Sequence, residues 1–219
     1  MTYSLLGRCA RTGQIGAAVA TSALAVGARV PHAEAGTGGI LTQHRTDPRL
    51  GPLGLSLLRA GCGAEQTIAA LVASTPHHAW RQLAAIDRQG RTAHFDGAKV
   101  RPARHAVHQP GCVALGNILA NEAVPAAMAA AFLQAEALPL AERLVRAMEA
   151  GEAAGGEGRN VLSSALLVVG QESFPLVDLR VDEAPEAIAA LRRLWEGYAP
   201  SVEAYVTRAV DPDAAVPPG

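Results

Sequence analysis

Thr2-Tyr3-Ser4-Leu5-Leu6-Gly7-Arg8 and Ile15-Gly16-Ala17-Ala18-Val19-Ala20-Thr21-Ser22 decide the fold. The first run reads as a strand from Thr2 to Ala10, and Arg11-Thr12-Gly13-Gln14 is a turn of hairpin length. The second run is apolar on both parities. Ile15, Ala17 and Val19 lie on one face, and Gly16, Ala18 and Ala20 on the other. A strand that is greasy on both faces is buried on both faces. The hairpin therefore needs a covering layer on each side.

Two more short strands are expected near Arg29–Ala35 and Gly39–Arg45, split by Gly36-Thr37-Gly38. A helical pair follows. Leu53, Leu57 and Leu58 before Gly61 mark one helix, and Ile68, Leu71 and Val72 before Thr75-Pro76 mark the next. Gln82–Asp87 and Arg91–Phe95 read as a hairpin, with His105–His108 and Cys112–Leu119 as further strands. Asn121 is the expected N-cap of a helix whose stripe is Val124, Met128, Ala131 and Phe132. Pro139 opens another helix, with Leu140, Leu144 and Met148 buried. Its wet side is Glu142, Arg143, Arg146 and Glu149, and Gly151 is its stop. Ser163–Val169 and Leu176–Val181 are the last strands, and Pro185 opens a helix carrying Ile188, Leu191 and Trp195. Ser201 caps a short further helix. Strands and helices thus come in groups and do not alternate singly. Two stacked antiparallel sheets with helices outside each satisfy that order, giving a four-layer αββα sandwich.

The 219 residues suit one domain, taken as 1–210, with the Pro-rich stretch 211–219 expected to be an unstructured tail. Hydrophobic residues make up 49% but aromatics only 4%, so Ala, Leu and Val must fill the core. A net charge of -1 gives no electrostatic case for nucleic acid or an anionic membrane surface. No apolar run approaches the roughly 18 residues of a membrane span. The first residues have neither a basic region nor a long apolar stretch, so no secretory signal is expected. Cys9, Cys62 and Cys112 lack metal or redox spacing and read as reduced thiols of a cytoplasmic protein. His77-His78 and His105/His108 are poorly spaced for one ion, and no metal or other cofactor is expected. Asp178, Arg180 and Asp182 alternate on one strand face and read as an ion-pair ladder.

Several segments resemble one bacterial family, the domain of unknown function 1028 family, placed in the N-terminal nucleophile (Ntn) hydrolase superfamily. They are Thr2-Tyr3-Ser4-Leu5-Leu6-Gly7-Arg8, Gly16-Ala17-Ala18-Val19-Ala20-Thr21-Ser22, Leu24-Ala25-Val26-Gly27-Ala28, Val30-Pro31, Thr42-Gln43 and Gly51-Pro52-Leu53-Gly54-Leu55. Gly116-Asn117, Leu140-Ala141-Glu142-Arg143-Leu144 and Val177-Asp178-Leu179-Arg180-Val181-Asp182 complete the set. The order is right over nearly the whole chain. The sequence departs from the family pattern at Leu115, at Glu157, at Leu162-Ser163-Ser164-Ala165 and at Arg101-Pro102-Ala103-Arg104.

The resemblance implies a proteasome-like sandwich and an amidohydrolase acting on a small amide or peptide-like substrate. In that chemistry the first residue of the mature chain supplies the nucleophile, and its own α-amine is the base. An α-amine titrates near 8, which suits it to that task. Thr2 fits, because a small residue after Met1 permits removal of the initiator. Asn117 is the expected donor to the developing oxyanion. Thr42, Gln43, His44, Glu157, Arg159 and Ser163 are the expected substrate-binding residues. Bland readings stand beside these: Thr42-Gln43 as a strand end, and Gly155-Gly156-Glu157-Gly158-Arg159-Asn160 as a plain connector rather than a backbone nest for an anion. The alternative function is a catalytically silent Ntn fold that binds a small ligand or serves as an oligomeric subunit. A homodimer is the expected assembly.

Overall fold

The computed structural model describes residues 1–215. β1 (Thr2–Arg8) and β2 (Ile15–Thr21) form the expected hairpin, with Leu5 opposite Ala18 and Leu6 opposite Ala17. β3 (Pro31–Glu34), β4 (Gly38–Gln43), α1 (Leu50–Arg59) and α2 (Ala64–Ser74) follow. Then come β5 (Gln82–Asp87), β6 (Thr92–Asp96), β7 (Arg104–Gln109) and β8 (Cys112–Asn117). α3 (Val124–Gln134) and α4 (Leu140–Ala153) precede β9 (Ser163–Val169) and β10 (Pro175–Val181). α5 (Ala187–Tyr198) and α6 (Val202–Val210) come last. The strands build two sheets, β10-β9-β2-β1-β8-β7 and β3-β4-β5-β6, with every pairing antiparallel.

Three apolar interfaces hold the four layers together. Between the sheets, Leu6, Ile15, Ala17 and Val19 meet Leu41, Ala84 and Ile86. On the outer face of the larger sheet, Tyr3, Leu5, Ala18 and Ala20 meet Met128, Phe132, Leu144 and Leu191 of the helices. On the outer face of the smaller sheet, Ile40, Leu83 and Ala85 meet Leu58, Ile68 and Leu71. The two parities of β2 thus feed different interfaces, as its sequence implies. Each fully buried Leu or Phe contributes about 1.5–3 kcal/mol, so all three interfaces matter to stability.

The small residues set the layer spacing. A Cβ on Gly16 would lie 2.7 Å from Leu144 Cδ1 and 2.9 Å from the Leu167 carbonyl oxygen. Neither β2's neighbour nor α4 can retreat without opening the core. Gly16→Ala is expected to lower stability by about 1–3 kcal/mol through overpacking. Urea unfolding measures it, and a variant as stable as the parent would show that α4 sits further from the sheet.

Four local expectations are corrected. Arg143, placed on the wet side, is 4% exposed. Its guanidinium lies 3.9 Å from the Phe132 ring centre, and Nε donates to the Phe132 carbonyl at 3.2 Å. Helix α4 runs through Gly151 to Ala153, because Gly151 packs against Met128 and Tyr3 where a Cβ would clash. Asn121 is not the N-cap, since α3 begins at Val124. Instead Asn121 Oδ1 accepts from the Ala123 amide, and Nδ2 donates to the Ala154 carbonyl. The expected strand from Arg29 starts only at Pro31, after a one-turn 3-10 helix at Val26–Ala28.

Asp178 pairs with Arg180 on β10, but Asp182 lies past the strand end and adds no ion pair among the described residues, so the expected ladder is a single pair. At the chain end, Pro212–Ala214 makes a short turn capped by the Asp211 carboxylate. The rest of the expected tail, 216–219, lies outside the described residues. Among the described residues no helix is long and apolar enough to cross a membrane. No three His, Cys, Asp or Glu side chains gather there as a metal site, and Cys9, Cys62 and Cys112 are unpaired.

Candidate active site

The layer between the sheets changes character along its length. Thr2, Ser4 and Leu6 share the inward parity of β1, as do Val113, Leu115 and Asn117 on β8. On the smaller sheet the same face carries Leu41 then Gln43, and Ile86, Ala84 then Gln82. The apolar filling therefore gives way at one end to Ser4, Gln43, Gln82 and Asn117. These four side chains have no exposed surface. They bond to one another, with only Asn117 Oδ1 left buried and unpartnered among them: Ser4 Oγ donates to Gln43 Oε1 at 2.8 Å, and Gln43 Nε2 donates to Gln82 Oε1 at 2.6 Å. Asn117 Nδ2 donates to the same Gln82 oxygen at 2.9 Å. Gln82 Nε2 donates to Asp96 Oδ1 at 2.8 Å and to the Gly116 carbonyl at 2.9 Å. The network bolts the polar end of one sheet to the other.

A cavity of about 260 Å³ opens at this end, lined by Thr2, Thr21, Arg29, His44, Arg101 and Ile118 among others. Thr2 pairs in register with Asn117 on one side and leads the hairpin with β2 on the other. The Thr21 hydroxyl donates to the Met1 carbonyl at 2.5 Å, and the Thr2 hydroxyl reaches the same oxygen. The two hydroxyl oxygens are 3.5 Å apart.

The backbone around this cavity is strained. Among the described residues, the non-glycine residues in the left-handed region are Ala25 (φ 52°), His44 (51°), Arg45 (54°) and Ile118 (54°). His44, Arg45 and Ile118 line the cavity, and Ala25 sits between the lining residues Ala23 and Val26. Each such residue costs on the order of 1–3 kcal/mol, and strain of this kind collects at functional sites. The surrounding structure holds it. Asp47 grips Arg49 at 2.9 Å and Arg81 at 3.5 Å, and the Arg81 guanidinium donates to the Arg45 carbonyl. The Ser163 hydroxyl donates to the Ala23 carbonyl at 2.7 Å and accepts from the Val26 amide at 3.1 Å.

His44 is fixed as the neutral ring. Nδ1 donates to the Trp80 carbonyl at 2.9 Å, and Nε2 accepts the Arg101 amide at 3.3 Å. Burial pushes its pKa down. The Trp80 bond pulls the other way, and the N-terminal, Arg45 and Arg101 charges add to the lowering. With a folded pKa below the unfolded value of about 6.5, the unfolded chain takes up the proton first as pH falls. The stability this ring contributes is present above that value and is lost as pH falls through the folded one. An NMR titration is expected to give His44 a midpoint below 6.5, whereas a midpoint at or above it would break the assignment of the ring.

Glu157 is 5% exposed, and its Oε2 accepts from the Ser22 amide at 3.0 Å. Burial raises its pKa, against the pull of the Ser22 bond and the nearby amine. Oε1 is buried without a partner. Burial also lowers the Met1 amine. Glu157 opposes that shift, while Arg101 and Arg159 add to it.

Of the residues expected from sequence, Thr2 and His44 line the cavity, and Glu157 and Arg159 bear on it electrostatically. Thr42, Gln43 and Ser163 are not among the lining residues, and each has no exposed surface. Thr42 holds the Asp47 carbonyl at 3.3 Å, Gln43 joins the inter-sheet network, and Ser163 pins the Ala23–Val26 loop. Asn117 stands beside Thr2 in the sheet, but its amide nitrogen is committed to Gln82 and does not face the cavity. Sequence reading missed Thr21, Arg29, Arg45 and Arg101. The inward parity of Ile15, Ala17, Val19 and then Thr21 was the one available signal.

The family model described as "Family of unknown function (DUF1028)" matches residues 2–191. A crystal structure of a DUF1028-family protein from Silicibacter pomeroyi superimposes with a TM-score of 0.84 at 33% identity, covering 90% of this chain and 89% of that one. Anbu, the ancestral beta-subunit from Yersinia bercovieri, gives a TM-score of 0.40 at 12% identity over 93% of this chain and 97% of that one. That likeness is too slight to carry an argument. No curated protein matches the chain. The chain belongs to the family of unknown function DUF1028.

Proposed function

We propose that this protein is an amide hydrolase of the Ntn type, with Thr2 as nucleophile once Met1 is removed. One observation carries the reading. The Met1 carbonyl oxygen sits against the Thr2 and Thr21 hydroxyls at the mouth of a strained cavity, so an acyl oxygen already has a seat there. In turnover the Thr2 hydroxyl adds to the acyl carbon of the substrate amide, and its proton passes to the Thr2 amine. The Thr21 hydroxyl donates to the oxygen that becomes negative. Collapse expels the amine, which takes the proton from the Thr2 ammonium. Water then adds to the ester, releases the carboxylic acid and restores Thr2. The buried Glu157 carboxyl acts on the amine of Met1, the residue joined directly to Thr2.

A ligand-binding protein without chemistry is the second reading. It is favoured by the commitment of the Asn117 amide to Gln82. An amine-release screen over small amides separates the two. The enzyme reading expects turnover that depends on a free Thr2 amine. Saturable binding of the same compounds with no amine released would favour the second.

A further inference from the structure

The cavity beside Thr2 is lined by Arg29, Arg45 and Arg101, and by no acidic residue. The three come from separate parts of the chain: the loop after β2, the left-handed turn after β4, and the segment before β7. None forms an ion pair among the described residues, where the pairs use Arg49, Arg59, Arg81, Arg91, Arg146, Arg180 and Arg192.

Arg29 and Arg45 are held through their side chains and Arg101 through its backbone. Arg29 donates to the Ala25 carbonyl at 3.1 Å. Arg45 lies 5.6 Å from the Trp80 ring centre. The Arg101 amide is fixed on His44 Nε2. Glu157, which acts on the Met1 amine but is not among the lining residues, spends one oxygen on the Ser22 amide. Elsewhere in the molecule arginines are neutralised by carboxylates of the chain, as Arg192 is by Glu142 and Glu149. Here three positive charges share one small cavity with no counter-charge on its wall. A guanidinium fork matches a carboxylate in shape and charge. Unpaired cations around a cleft also raise the local concentration of anions.

We propose that the cavity captures a carboxylate, and that the amide cleaved there is a small anionic one, such as an N-acyl amino acid or the monoamide of a dicarboxylic acid. The cleavage part rests on the hydrolase reading above, while the anion capture stands on the arginines alone. A cavity of about 260 Å³ suits such a molecule and not an extended peptide.

Calorimetric titration of the Thr2→Ala protein tests the capture without requiring catalysis. The probes are glutarate, its neutral counterpart glutaramide, and inorganic phosphate. Glutarate is expected to bind in a salt-sensitive way, at least about tenfold more tightly than glutaramide or phosphate. Arg45→Gln and Arg101→Gln, both at exposed positions, are each expected to weaken glutarate by about tenfold or more, with circular dichroism unchanged. Equal binding of glutaramide, indifference to both substitutions, or no glutarate binding would overturn the proposal. Phosphate binding more tightly than glutarate would overturn the carboxylate assignment. If glutarate binds as expected but the unmodified protein turns over no amide, the hydrolase reading fails and the anion site stands.

Discussion

Thr2→Ala is expected to lower kcat/KM for any amide this protein turns over by about a thousandfold or more. The substitution removes the attacking oxygen and leaves the amine, the Thr21 hydroxyl and the arginine-lined cavity in place. Nucleophile and base act as a unit, so losing one costs nearly the whole covalent route. Stability should change little. In a chain without Met1 the Thr2 hydroxyl keeps only the contact to Thr21, so about 0.5–1.5 kcal/mol of hydrogen bonding is at stake. Thr2→Ser keeps the oxygen and is expected to retain a measurable fraction of activity. Steady-state kinetics beside thermal unfolding read both quantities. A Thr2→Ala protein with parental turnover would remove Thr2 from the chemistry altogether.

Gln82→Leu is expected to be the most damaging single change to stability near the site. Gln82 has no exposed surface and makes four hydrogen bonds. Leucine leaves Gln43 Nε2 and Asn117 Nδ2 buried without acceptors. Each stranded group costs about 1–3 kcal/mol, giving roughly 2–6 kcal/mol for the pair. The triple change Gln43→Leu, Gln82→Leu, Asn117→Leu should recover part of that loss. With all three amides replaced, none of them is left facing an apolar partner, and the recovery is only partial because the buried Ser4 hydroxyl loses Gln43 as its acceptor. Denaturant unfolding of the single and triple variants is the measurement. A triple variant less stable than the single one by the sum of the parts would show that the three amides act independently, not as a network.

The layers were legible because strand parity is a local property. Ile15, Ala17 and Val19 against Ala18 and Ala20 name two buried faces before any partner is known, and both faces found their interfaces. Thr2 and Asn117 could be placed side by side only through the family resemblance, since their pairing crosses most of the chain. What parity and period do not show is what a neighbouring element demands. Arg143 has the helical phase of a wet residue, yet Phe132 of α3 gives its guanidinium a ring to cover. Gly151 looks like a stop signal, but it is the gap that admits Met128 and Tyr3. The cavity was the least legible part. Its arginines come from three distant segments, and its wall depends on left-handed residues such as His44 and Ile118 that no local preference predicts. Asn117 shows the same limit in reverse. A lone amide in an apolar strand reads as a site residue, and nothing local to it names Gln82 as the partner of its nitrogen.

The central claim is that β1 begins with a working N-terminal threonine. Intact-mass analysis of the protein isolated from its own host, with sequencing of its first residues, tests it most directly. The account predicts a mature chain that starts at Thr2, with its amine free. A chain that keeps Met1 would hold that amine as an amide, and would contradict the account.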